Sequence, residues 1–146
     1  METLNELLSN RVLISAILAW SAAQVLKAII TLFTTKKFSV ERLFGAGGMP
    51  SAHSACVCAL VVSTARAMGA DSAVFALSVI FAVVVMYDAM GVRRAAGHHA
   101  KAIKEIRTQL DSDDKSQKKL KESLGHTPFE VLGGALLGIL MAMIIV

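Results

Sequence analysis

The chain has 146 residues, of which 55% are hydrophobic and only 18% charged, with a mean hydropathy of +0.60 and a formal net charge of +4. A water-soluble domain interleaves its charges along amphipathic helices; here they gather between long apolar runs, which excludes that class and points to a small integral membrane protein of one domain, residues 1–146. A basic balance with a pI near 9.3 suits nucleic acid in a soluble protein, but beside membrane-length apolar segments it argues for anionic membrane lipids or a phosphorylated ligand instead.

Along the chain, the stretch Met1 to Arg11 carries Glu2 and Glu6 before its only basic residue, so it lacks the positive start and cleavage site of a signal peptide. The first apolar helix is expected over Val12 to Phe33, the second over Ala52 to Met68, the third over Ser72 to Met90 and the fourth over Phe129 to Val146. A span takes about 20 residues, so the second and fourth are short. The fold class is therefore all-α, a membrane bundle of about four helices. Gly69-Ala70-Asp71 makes a tight turn between helices two and three, while Thr34–Ser51 and the polar loop 91–128 are longer connections. Within that loop, Ala102, Ile103, Ile106 and Leu110 recur at helical spacing among basic residues, Asp111-Ser112-Asp113-Asp114 breaks the helix, and Lys115 to Leu124 has room for another turn or two. Such a basic amphipathic helix suits either anionic lipid or a solvated hairpin on its own protein. Cys56 and Cys58, two apart in an apolar run, read as inert thiols with no partners for a metal site. Gly134 and Gly138 form a Gly-x-x-x-Gly pair that lets a helix approach closely, either from a second copy in a homodimer or from the same chain.

Ionisable residues at membrane depth are costly and mark function. Lys27 stands late in helix one, Asp88 late in helix three, and Glu130 at the start of helix four, four residues after His126. In Gly47-Gly48-Met49-Pro50-Ser51-Ala52-His53 a glycine-rich turn becomes a helix, whose free N–H groups and dipole suit an anion and whose histidine can protonate a leaving oxygen. If four helices span, the chain alternates direction. Lys27, Arg42, His53, Asp88, Arg93, Arg94, His126 and Glu130 then meet at one membrane face, a cationic, histidine-bearing pocket suited to phosphate chemistry.

Three stretches, "GGMPSAHSA", "MYDAMGVRRAAG" and "LGHTPFEVLGGALLG", resemble the divergent branch of the type 2 phosphatidic acid phosphatase and vanadium haloperoxidase superfamily, and the resemblance covers nearly the whole chain. Lys27 and Arg42 match its first motif, Pro50-Ser51-Ala52-His53 its second, and Arg93 or Arg94 with His126-Thr127-Pro128-Phe129-Glu130 its third. Ala52 stands where the superfamily has glycine and Glu130 where it has aspartate. The Ser-Arg pair of the third motif is absent, a loop separates the arginines from His126, and four helices are visible rather than six. The resemblance implies metal-free, cofactor-free hydrolysis of a phosphomonoester, such as a lipid or prenyl phosphate, through a phosphohistidine. His126 would attack, Glu130 orient it, and His53 protonate the leaving alcohol. Lys27, Arg42, Gly48, Ser51 and Arg93 or Arg94 would hold the phosphoryl oxygens, with Asp88 in support. His98 and His99 compete for the attacking role, but the positions four residues on are Ala102 and Ile103 rather than a carboxylate. The alternative is a silent membrane scaffold that binds lipid phosphate without turning it over.

Of the 15 Lys and Arg, only Arg11 and Arg66 fall on the face opposite the site. The positive-inside rule then expects a multi-pass protein of the cell or inner membrane, its site facing the cytoplasm and both termini outside.

Overall fold

The computed structural model describes residues 2–36, 48–109 and 125–146, and every regular element among them is an α-helix. Arg42 and the Lys115–Leu124 stretch lie outside the described residues. The helices are α1 (Glu2–Ser9), α2 (Arg11–Thr35), α3 (Ala52–Met68), α4 (Ala73–Met90), α5 (Val92–Gln109) and α6 (Pro128–Ile145).

Each membrane-length element starts at a short polar side chain that satisfies a free N–H of the first turn. Asn10 accepts from Leu13 N–H at 3.0 Å, Ser51 from Ser54 N–H at 3.3 Å, Ser72 from Phe75 N–H at 3.2 Å, and Thr127 from Glu130 N–H at 3.3 Å. At the other ends, Lys36 closes α2 in the left-handed region, and Gly69, at φ +86°, closes α3. Arg66 reaches across from the end of α3 to donate from Nη1 to Met143 O at 3.1 Å, satisfying a carbonyl in the last turn of α6.

The packing is inverted relative to a soluble bundle. The buried cluster consists of Ala19 and Ala23 of α2, Ala52, Ala55 and Ala59 of α3, and Ala142 of α6. The large apolar side chains point outward, with Phe33, Ile144 and Leu77 each more than two-thirds exposed. Water would penalise such a surface and lipid does not. Small residues at the helix contacts, where dispersion must replace the hydrophobic effect, are what a membrane bundle uses. Helices α2 and α6, and the stretch Ala73–Ile106 that joins α4 to most of α5, are long and apolar enough to cross a membrane, and α3 is a shorter apolar helix of 17 residues. At 1.5 Å per residue α3 is about 26 Å long, slightly less than a bilayer core.

Helix α3 is the hub, packed against α2, α4 and α6. Its contact with α6 depends on the two glycines. A Cβ at Gly134 would lie 2.2 Å from Ser51 O, and one at Gly138 2.2 Å from Ala55 O. The Gly-x-x-x-Gly pair thus serves a contact within one chain. The buried hydroxyls of Ser15 and Ser63 pair with each other across the α2–α3 interface, and Ser15 Oγ also donates to Val12 O at 3.0 Å. Neither hydroxyl is left unsatisfied in an apolar setting.

Two elements differ from the sequence expectation. The helix expected near Ala102 begins ten residues earlier, at Val92, because Ala95, Ala96 and Ala100 carry helix propensity through a segment that reads as a polar loop. Before α2 there is also a short helix, α1, whose Leu4, Leu7 and Leu8 share one exposed face.

Candidate active site

The end of α2, the start of α3, the end of α4 and the start of α6 meet at one end of the bundle, and main-chain hydrogen bonds fix three of them together. Ser51 N–H donates to Glu130 O at 2.9 Å, joining the α3 cap to the first turn of α6. His126 N–H donates to Ala89 O at 2.9 Å, joining the residue before α6 to the last turn of α4. Gly48, at φ +85°, brings the backbone before α3 against the Lys27 stem, where an added Cβ would lie 3.7 Å from Cγ and Cδ. Only glycine takes that conformation without strain.

His126 is 3% exposed. Its Nδ1 lies 3.2 Å from Glu130 Oε2. A carboxylate only accepts, so Nδ1 carries the proton and Nε2 is the ring nitrogen with the lone pair. The same Oε2 accepts from Thr127 N–H at 2.9 Å, while Thr127 Oγ1 accepts from Glu130 N–H, a reciprocal capping box. Glu130 is therefore held by the geometry of the helix start before it holds the histidine. The signal for this was present in the sequence as Thr127-Pro128-Phe129-Glu130, a Thr-x-x-Glu pattern with proline in the first turn. Burial pushes the His126 pKa below the ordinary histidine value, and the Lys27 and Arg93 charges act the same way, against the hydrogen bond and charge of Glu130. The imidazole is thus kept neutral near neutral pH.

His53, the second residue of α3, faces His126 edge to face, with ring centroids 6.4 Å apart. Lys27, Asp88, Arg93 and His126 all lie within electrostatic range of it, and Glu130 within range of Lys27. Lys27 itself is 4% exposed although it stands two turns before the end of a membrane helix, so it turns inward instead of reaching for the surface. Arg93 Nε donates to Asp88 Oδ2 at 2.6 Å, an ion pair that spans the α4–α5 junction and aims the guanidinium.

The remaining candidates are placed differently. Arg93 and Arg94 are both exposed, and Arg93 is the one whose charge acts on His53 and His126. Ser51 is buried with its hydroxyl engaged by Ser54 N–H and by Ser54 Oγ at 3.0 Å, and its own N–H is given to Glu130 O. It builds the wall of the pocket. His98 and His99 are exposed on α5. Among the described residues, no group of three or more His, Cys, Asp or Glu side chains is arranged to hold a metal ion.

Gln24, one turn before Lys27 on the same face of α2, has its side-chain oxygen buried without a hydrogen-bond partner among the described residues. Its position on the Lys27 face was legible, but its unsatisfied acceptor was not.

The family described as "Divergent PAP2 family" matches residues 8–141 of the chain. The chain is also similar to the uncharacterized membrane protein YuiD of Bacillus subtilis (strain 168), at 41% identity over 152 residues, covering 96% of each chain. No solved structure matches it.

Proposed function

This chain belongs to the divergent PAP2 family and is an integral membrane protein, and on that premise we propose that it is a phosphatase that hydrolyses a phosphomonoester through a phosphohistidine, without metal or other cofactor. The observation that carries the reading is a buried His126, oriented by Glu130, with His53 facing it and two cations in range. His126 Nε2 attacks phosphorus as the bond to the leaving oxygen breaks, and His53 gives that oxygen a proton, releasing the alcohol. His53 then takes a proton from water, whose oxygen displaces Nε2 and yields inorganic phosphate. Lys27 and Arg93 stabilise the charge on the phosphoryl oxygens beside the Gly48 turn, and Arg42, outside the described residues, is a further candidate for that role by its match to the family's first motif. Asp88 acts through Arg93. An oriented nucleophile with fixed charges around the phosphoryl group is the arrangement this reaction needs, and each acid–base or electrostatic element contributes about 10²–10⁴ in rate.

A site at one end of the bundle, beside helices whose large apolar side chains face outward, suits a phosphorylated lipid, such as a prenyl phosphate or phosphatidic acid, whose tail stays in the bilayer. The asymmetry of Lys and Arg orients the pocket toward the cytoplasm, with the termini outside. The second reading, a lipid-phosphate binder without turnover, has one observation behind it: the Arg93 guanidinium already holds Asp88.

Purified protein assayed with lipid and soluble phosphomonoesters in EDTA should release phosphate, and vanadate should inhibit it. Activity lost in EDTA and restored by magnesium or zinc overturns the mechanism. Binding of a lipid phosphate with no release from any substrate establishes the second reading.

A further inference from the structure

Helix α5 carries a second feature that the phosphatase reading does not use. Val92, Ala96, His99, Ile103 and Ile106 recur at alternating steps of four and three residues, which places them on one face of the helix, and all five are exposed. The only helix α5 packs against, among the described residues, is its neighbour α4. An apolar stripe that no other described helix covers needs an apolar occupant. The charges around it identify that occupant. The sequence of α5 holds Arg93, Arg94, Lys101, Lys104 and Arg107 against one carboxylate, Glu105. Lys101 and Glu105 form an exposed pair at 4.0 Å, too open to cancel the excess.

Continuity fixes where the stripe lies. Helix α4 is a membrane-length helix, and it ends at Gly91, whose φ of −98° and ψ of −87° depart from helical geometry. Helix α5 therefore starts at the membrane boundary, at the end of the bundle that holds the candidate site, and hydrogen bonds from Gly91 N–H to Tyr87 O at 2.8 Å and from Ala95 N–H to Gly91 O at 2.9 Å join it to α4. A basic helix with one apolar face at that level has the composition of an interfacial helix.

We propose that α5 lies in the headgroup region of the leaflet beside the candidate site, with Val92, His99, Ile103 and Ile106 facing the acyl chains and Arg94, Lys101 and Lys104 facing anionic headgroups. The surface it recognises is an anionic bilayer. The proposal needs only that the bundle spans a membrane, so it stands apart from turnover at His126.

The test uses the full chain with Cys56→Ala and Cys58→Ala, and single nitroxide labels at Ile103→Cys, Ile106→Cys or Glu105→Cys. The protein is reconstituted in vesicles of phosphatidylcholine with phosphatidylglycerol, or of phosphatidylcholine alone. Labels at 103 and 106 should be relaxed by oxygen and shielded from a water-soluble nickel complex, while the label at 105, on the far face, shows the reverse. The immersion at 103 and 106 should weaken without phosphatidylglycerol. Nickel access at 103 and 106 equal to that at 105 overturns the proposal. Shielding from both oxygen and nickel also overturns it, because the stripe then packs on protein. Immersion equal in both vesicle types overturns the recognition of anionic lipid.

Discussion

At His126 a single side chain combines burial, a fixed tautomer and a facing partner, and the sharpest expectations concern it. His126→Ala should abolish phosphate release and leave no phosphoenzyme on a denaturing gel, whereas His99→Ala, which alters an exposed α5 residue, should keep most activity. Retained activity in the first with loss in the second would move the nucleophile to α5. His53→Ala should slow turnover by about 10²–10⁴ while still allowing phosphoenzyme to form from a substrate with a good leaving group. The pH profile tests the electrostatics. Attack requires neutral imidazole, so protonation of His126 defines the acid limb. Because burial lowers its pKa, that limb should fall below about 6.5, the ordinary histidine value. Glu130 opposes this shift, so Glu130→Gln should move the limb to still lower pH while reducing the maximal rate. A limb displaced upward would show that Glu130 does not act on His126.

Among the elements, the α3–α6 contact couples packing to chemistry. The same two helix starts that carry His53 and Glu130 are held together by Ser51 N–H to Glu130 O and by glycines lying over the Ser51 and Ala55 carbonyls. Side chains there must push the helices apart, because the obstructing atoms are backbone. Gly138→Leu and Gly134→Leu should each cost at least about 1–3 kcal/mol, read as earlier thermal unfolding in detergent. Gly134→Leu, nearer the pocket, should lose activity as well. Unchanged stability in both would mean that α3 and α6 do not meet along this face.

For the whole molecule, a core of alanine and glycine beneath a surface of leucine, isoleucine and phenylalanine holds together only where the exterior is not water. The protein should stay with membranes through carbonate extraction. Recovery as a monodisperse species without detergent would refute the architecture. Orientation is a separate question. A cysteine at Lys36, on the pocket side, should be protected from an impermeant thiol reagent in intact cells, and one at Ala70, in the opposite turn, should be labelled. The reversed pattern would place the pocket outside.

The sequence by itself determined the all-helical membrane class and the position of the four apolar helices, because runs of apolar residues bounded by Asn10, Ser51, Ser72 and Thr127 leave the backbone no other way to satisfy its hydrogen bonds in lipid. Alternating direction was enough to gather Lys27, His53, Asp88, Arg93, His126 and Glu130 at one end, since that follows from chain order alone. The tertiary structure decided what depends on the relative rotation of helices, which no one-dimensional pattern records. It separated Arg93 from Arg94 by pairing Arg93 with Asp88, within electrostatic range of the histidines. It made Ser51 a wall, committed the glycine pair of α6 to α3, and left His99 on an open stripe. It also extended α5 back to Val92, because alanine propensity prevailed where hydropathy indicated a loop.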